Sequence, residues 1–508
     1  MESMFSVPDT AYSRSSRLAM KYTKFVNGET SGDIDHELEA VALLESESEC
    51  GSNEEIYTEN VLKKSFTVEE AVESVGFGWF QIRLYFMCGL FTAADALEMM
   101  LLAVLSPVLR CEWGLEHFHV AFITTVVFIG MCIMAPIWGA IGDRYGRQTT
   151  LYMVTFWIGY YGLLTTFSPS YYWLLILRCL VGGGLAGSPQ SFALMAEYLP
   201  SKYRAKMLIL GSIPWAVGTI FEVTIATFTI PTLGWRWLLV FSALPSFLML
   251  ITLKCLPESA RYLVAAGHKD KATIILNKAA KINKASLPDG CLTQSKVVQR
   301  GNFRDLFSSN YRVTTVFIWF LWFATAFSYY GMVLASTEIL QQQKTGESCA
   351  CNLLNKDDYS TMILSSCGEL LAMPISMVLI DRFGRKVTGA FNMAGCAVFF
   401  LLLQVPMPQK ALTIVMFCVR GFSQGMFNFV YIYTAEVYPT NIRTLGIGAS
   451  SSWARVGAMV TPFVAQVLLD QSLTAAVWVY GGVCVCAAIL TALLPIETMG
   501  RELPHTTN

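Results

Sequence analysis

Apolar runs of roughly 20 residues, the length that crosses the hydrocarbon core of a bilayer, begin near residues 80, 118, 149, 172, 206, 235, 313, 358, 387, 411, 444 and 474. The pattern predicts twelve membrane-spanning helices. A polar, acidic stretch precedes them, and a charged stretch separates the sixth run from the seventh. The expected organisation is an acidic, disordered N-terminal tail (1–78), a six-helix half (79–256), a linker (257–312), a second six-helix half (313–496) and a C-terminal tail (497–508).

The two halves repeat each other. GDRYGRQ (142–148) returns as IDRFGRK (380–386), with Asp143 and Asp381 238 positions apart. AEYLPSKYR (196–204) returns as AEVYPTNIR (435–443), and LPES (256–259) as LPIET (494–498), at offsets of 239 and 238. Three different motifs sharing one offset indicate duplication. Two parallel six-helix repeats joined by a charged linker are the plan of many secondary transporters. The expected fold class is an all-α membrane protein of twelve helices in two pseudo-symmetric halves.

Composition agrees. The 508 residues are 54% hydrophobic and 14% charged, with a mean hydropathy of +0.48, whereas soluble domains carry about 25% charged residues. A net charge of −1 gives no sign of a nucleic-acid partner. Residues 1–78 lack the basic-then-apolar start of a secretory leader, so the first span is expected to act as its own insertion signal. Loops on the side of the repeated motifs and the linker hold nineteen basic residues, and the opposite loops five. The positive-inside rule places both termini in the cytosol.

The repeated D-R-x-G-R and E-x-x-P-x-x-x-R motifs resemble those of the major facilitator superfamily, in its sugar and organic-ion branches. FTVEEAVESVGFGWFQ (66–81), ADALEMM (94–100), RCEWGLE (110–116), GWRWLL (234–239), PESARY (257–262), FSYYGMVL (327–334) and YIYTAEVYPT (431–440) are similar to its vesicle-protein-related branch, over about residues 66–502. The resemblance implies a gate of ion pairs at the cytosolic helix ends. In the first half this is Asp143, Arg144, Arg147, Glu197 and Arg204; in the second, Asp381, Arg382, Arg385, Glu436 and Arg443. Carboxylate–guanidinium pairs at a membrane boundary can be made and broken by a two-state machine. The alternative is that they only anchor helix ends. Met377 replaces the equivalent of Gly139, an expected loss of close helix approach in the second copy.

Ionisable residues inside spans usually face a cavity or a partner. Asp95 and Glu98 share a face of the first span; Glu222 lies in the fifth, Glu369 in the eighth, and Arg178, Arg420 and Arg455 in the fourth, tenth and eleventh. The resemblance implies that spans 1, 4, 7 and 10 line the cavity and 2, 5, 8 and 11 flank it, and all these charges fall there. Mutual neutralisation into buried pairs is the alternative reading, above all for Arg178 and Arg420. Arg455 and Glu369 fall near mid-span. Cation carriers of the organic-ion branch resemble this stretch with an aspartate at the arginine's place, whereas anion carriers have A-R-V-G. Here Ala454, Arg455, Val456 and Gly457 follow the anion pattern. Tyr330, Gln424, Asn428 and Tyr431 are the candidate polar wall residues of an otherwise apolar pocket.

The expected function is secondary transport, by alternating access, of a small organic ion, anion or zwitterion, with a proton as candidate coupling ion. The alternative is a non-transporting sensor, receptor or trafficking protein on a transporter fold. No phosphate loop, dinucleotide fingerprint or catalytic triad grouping occurs, so neither an enzyme nor a cofactor is expected. The five histidines lie in tails, loops or at a span edge; His117 and His119 are a weak metal pair, and no metal site is expected. Cys111, Cys349 and Cys351 are candidates for a disulfide in an oxidising compartment. Glu39, Leu43 and Leu44 in EAVALL match an E-x-x-x-L-L adaptor signal, making a clathrin adaptor a candidate partner. With short outer loops and no N-x-[ST] sequon, the expected location is a synaptic-type vesicle membrane, with the plasma membrane as alternative.

Overall fold

The structure, a computed structural model, describes residues 65–293, 302–342, 354–439 and 441–499. Phe66–Pro288 and Leu292–Asn508 form one compact unit, and Met1–Ser65 with Asp289–Cys291 a second, of which only Ser65 and Asp289–Cys291 are described. The tail signal at Glu39, Leu43 and Leu44 lies outside the described residues.

The larger unit opens with Phe66 of β1 (Ser65–Phe66) and α1 (Val68–Val75). Thr67 and Glu70 cap α1 reciprocally, at 3.3 and 2.8 Å, which satisfies two of the donors that a helix start leaves open. The first half follows: α2 (Trp79–Trp113), α3 (His117–Tyr145), α4 (Arg147–Thr165), α5 (Tyr171–Leu185) and α6 (Pro189–Glu197), α7 (Ser201–Leu210) and α8 (Ile213–Leu233), and α9 (Trp235–Thr252). The linker contributes α10 (Ala260–Ala265), α11 (Lys269–Asn283) and β2 (Cys291–Leu292). The second half comprises α12 (Arg312–Gln342), α13 (Lys356–Phe383), α14 (Arg385–Leu402), α15 (Gln409–Val437), α16 (Arg443–Pro462), α17 (Leu469–Gln471) and α18 (Leu473–Ala492).

Helices therefore start within a few residues of all twelve apolar runs. Among the described residues, nine spans are long and apolar enough to cross a membrane. The others, α4, α14 and α15, occupy the third, ninth and tenth positions, where arginine, threonine, asparagine and tyrosine dilute the apolar run.

Three spans are interrupted although their apolar runs continue. The fourth breaks at 186–188, because Pro189 opens α6 without an N–H to give the preceding turn. The fifth breaks at 211–212, just before Pro214. In the eleventh, a π-helical turn, Phe463–Leu468, joins α16 to α17; such turns cluster at functional sites.

Within the halves α12 packs on α16, α13 on α15, α3 on α5 and α2 on α8. The halves meet through α2 and α12, α3 and α16, and α8 and α13. A Cβ at Gly457 would lie 2.5 Å from the Phe323 carbonyl oxygen, so only glycine lets α16 approach α12 this closely. Gly139 is different: nothing lies within 4 Å of where its Cβ would be. The expected close approach is absent at Gly139.

Candidate functional site

The duplicated motifs gather at one end of the unit. Gly146 and Gly384 turn the chain between spans at φ +92° and +84°, a region open to glycine and little else. Each turn aims the first amides of the next helix at a glutamate. Glu258 accepts from the backbone N–H of Arg147 (2.7 Å) and Gln148 (3.1 Å). Glu497 accepts from Arg385 and Lys386, both at 3.1 Å. A carboxylate at a helix N-terminus also meets the positive end of the helix dipole. Burial works against the charged form of Glu497, but the amides of Arg385, Lys386, Met499 and Thr498 outweigh it and hold its carboxyl below the usual glutamate range. The LPES/LPIET repeat marked these two acids, but their role needed the structure.

The candidate gate residues divide unequally. Arg147 is 3.0 Å from Asp143, 3.9 Å from Glu197 and donates to Gln190 at 2.8 Å. Arg385 instead forks onto Glu436, with both bonds at 2.8–2.9 Å. Ser259 donates to Glu197, and Thr498 to Glu436. Arg144 and Arg382 lie over the rings of Tyr145 and Phe383. Arg204 and Arg443 donate to the carbonyls of Leu199 and Tyr438. Asp381 makes no ion pair among the described residues; its charge reaches Arg385 at longer range. All these pairs lie within one half or the other. In this structure they brace each half.

The mid-span charges sort into pairs and leftovers. Arg178 binds Glu98 at 2.7 Å, with both side chains almost wholly buried. Arg420 binds Glu369 at 2.6 Å, with 1% or less of either exposed. Glu369 thus answers Arg420 and not Arg455. It also accepts from Tyr329 (2.9 Å), whose oxygen accepts from Trp215 Nε1 of the other half (2.5 Å). Glu222 is fully buried, with both oxygens accepting from Ser242. Asp95 accepts from Ser188 at 2.7 Å, a donor set free by the break in the fourth span. Gln424 donates to Asn428 at 3.3 Å, and the Asn428 amide nitrogen is buried without a partner.

Arg455 is the exception. It is half-buried and forms no ion pair or hydrogen bond among the described residues. The Tyr330 hydroxyl lies within electrostatic reach of Tyr431, Asp95, Arg455 and Glu369. Tyr431 lies within electrostatic reach of Arg455 too, and 53% of its surface is exposed. The structure therefore brings together Asp95, Tyr330, Tyr431 and Arg455 of the candidate substrate set. It withdraws Glu98 and Glu222 into contacts inside the first half, and Glu369 into a pair with Arg420.

Cys111 is disulfide-bonded, while Cys349 and Cys351 lie outside the described residues. No cluster able to hold a metal ion occurs among the described residues; His119 faces Glu116 at 3.9 Å, and His117 faces Asp470 at 3.2 Å.

Residues 59–508 match the family described as "Sugar (and other) transporter". The chain is 46% identical to the synaptic vesicle 2-related protein of Xenopus laevis, covering 94% of this chain and 88% of that one. With the protein of the same name from Rattus norvegicus it shares 44%, over 94% and 90%. The xylose transporter XylE from E. coli, in a partially occluded inward-open conformation, superposes with a TM-score of 0.66 at 17% identity, over 84% of this chain and all of that one. Twelve helical spans in duplicated halves and the ordered motifs agree with these matches, and the chain belongs to the sugar (and other) transporter family of the major facilitator superfamily.

Proposed function

We propose that the protein is a secondary active transporter of a small organic anion or zwitterion, working by alternating access. The observation that carries this reading is Arg455. The other two mid-span arginines are neutralised by Glu98 and Glu369, whereas Arg455 keeps a guanidinium without a carboxylate partner among the described residues. An arginine inside the membrane costs about 2.5–3.5 kcal/mol on insertion scales. A substrate carboxylate is the partner that offsets this cost, because a guanidinium fork binds carboxylates in two-pronged fashion. Tyr330 and Tyr431 supply hydroxyls within its electrostatic reach, and Asp95 an acid within that of Tyr330. Asp95 suits the ammonium of a zwitterion, or a coupling proton when the substrate is a simple anion.

The proposed orientation puts the motif end and both termini in the cytosol, in a vesicle membrane, with the plasma membrane as alternative. The basic residues crowd the motif side, and two relatives carry a vesicle-protein name. Leu43 and Leu44 are the proposed sorting signal for a clathrin adaptor. Replacing both by alanine should move the protein to the cell surface, and an unchanged distribution rejects the signal.

The second reading, a ligand sensor on a transporter fold, keeps the same pocket. An uptake screen in proteoliposomes separates the two. Organic anions, zwitterions, cations and neutral sugars are offered with and without a pH gradient. Accumulation of a carboxylate supports transport. Saturable binding without accumulation of any compound favours the sensor.

A further inference from the structure

At the end opposite the motifs, the two halves are held together by side chains that the transport reading has not used. Arg110, in the last turn of α2, points its Nη1 at both oxygens of Glu338 in α12, at 3.1 and 2.9 Å. Its Nη2 donates to Gln341 Oε1 at 2.6 Å. Nη1 also lies 3.0 Å from His117 Nδ1 and 3.5 Å from its Nε2, and Nε2 is 3.2 Å from Asp470 of α17. The chain of contacts runs from second half to first and back to the second. Glu338 is 5% exposed and Arg110 24%, so water and salt screen this pair far less than a surface ion pair.

Its position gives it leverage. α2 and α12 are the first helices of the two halves and the two most buried of the nine spans. Helices buried all round lie at the centre of a bundle. A bridge between their far ends therefore crosses the bundle's axis. On the motif-end side of the bridge lies a small cavity lined by Met99, Thr124, Phe128, Tyr330 and Val333, among others. The Thr124 hydroxyl there is buried without a partner. Tyr330 is also the hub of the candidate substrate site, so the cavity continues that site toward the far end.

We propose that Arg110, bonded to Glu338 and Gln341 and braced through His117 on Asp470, is the bar of a gate closing the far end of the transport path, and that the cavity behind it is the closed far half of that path. Arg110 and Glu338 are positioning residues, since they set which state the protein occupies without touching substrate. The gate rests on the alternating-access reading, but its test needs no substrate, so the two can fail separately.

A cysteine is placed at Val333, on the cavity wall and 3% exposed, in full-length protein in sealed proteoliposomes. A membrane-impermeant maleimide is added to the compartment facing the Arg110 end, and labelling is compared with protein lacking that cysteine. With the bar intact, labelling is slow. Arg110→Ala or Glu338→Ala should speed it about tenfold or more by shifting the population of the open state. His117→Asn or Asp470→Asn, which remove only the brace, should speed it roughly threefold. The exchanged pair Arg110→Glu with Glu338→Arg should return labelling toward the slow rate. If a single alanine variant does not fold, Arg110→Lys and Glu338→Gln provide the same comparison with less disturbance. Labelling unchanged in the single variants overturns the gate. So does an exchanged pair that labels as fast as the singles, which would reduce the contact to ordinary packing.

Discussion

The two halves carry the same motifs but hold them with different grips. In the second half Arg385 closes both prongs on Glu436, and Glu369 is held by Arg420 and Tyr329 together. In the first, Arg147 is shared among Asp143, Gln190 and a distant Glu197, and among the described residues Glu98 has Arg178 alone. Charge-assisted, two-pronged hydrogen bonds are about twice as strong as neutral ones. Duplication thus preserved the residues and let their strengths diverge. The first half is the looser member, and the account expects it to rearrange first.

The buried pairs test this comparison most severely. Removing one member of a buried ion pair strands the other, typically at about 3–5 kcal/mol. Arg178→Met and Arg420→Met should both sharply lower thermal stability in detergent. The loss should be larger at Arg178 by about 1 kcal/mol, because Glu369 keeps the Tyr329 hydrogen bond. The paired neutral replacements, Glu98→Gln with Arg178→Met and Glu369→Gln with Arg420→Met, should recover most of the loss. Equal losses at both sites would erase the distinction between the halves at mid-membrane.

At the motif end the order reverses. Arg385→Ala deletes a full fork, and Arg147→Ala a contact with an exposed aspartate and a single neutral hydrogen bond to Gln190. Distances between spin labels on the motif ends of the two halves should show a shift in state populations of about 1–3 kcal/mol for Arg385→Ala and under about 1 kcal/mol for Arg147→Ala. Asp143→Asn should resemble the weaker variant. A larger shift from Arg147 would reassign the tighter gate to the first half.

The smallest effect concerns pH. The carboxyl of Glu497 is held low in the folded protein. Its contribution to stability is therefore present above the ordinary glutamate value and is lost as pH falls through the lowered folded value. Melting temperatures of Glu497→Gln and the wild type, measured at descending pH below about 4.3, should converge as acid removes the advantage of the charged form. A constant gap across that range would mean that Glu497 works through packing and not through charge.

Much of this architecture was legible in the sequence, for clear physical reasons. A bilayer demands long apolar runs, so all twelve helix starts were readable to within a few residues, as was the offset of 238 or 239 that links the halves. The residues of the candidate gate stood out in the repeated motifs as well. Their partners did not, because Arg147 and Arg385 sit in the same motif and differ only in what their neighbours offer. The breaks at 186–188 and 211–212 had signals in Pro189 and Pro214, but prolines are tolerated inside Pro107, Pro136 and Pro374 helices of the same chain. Those breaks deliver Ser188 to Asp95 and set Trp215 beside Tyr329. Neither contact has a sequence signature, since each joins residues about a hundred positions apart. Glu338 was invisible as half of a pair for the same reason: Arg110 lies 228 positions away.

Substitution at Arg455, followed by transport of the carboxylate found in the uptake screen, tests the central claim most directly. Arg455→Lys retains the charge but loses the planar fork, so KM for that carboxylate should rise by roughly tenfold, the factor that about 1.4 kcal/mol of lost binding corresponds to, while expression and melting temperature hold. Arg455→Asp should abolish uptake of the anion. An Arg455→Asp protein that still carries the carboxylate at the wild-type rate would contradict the account.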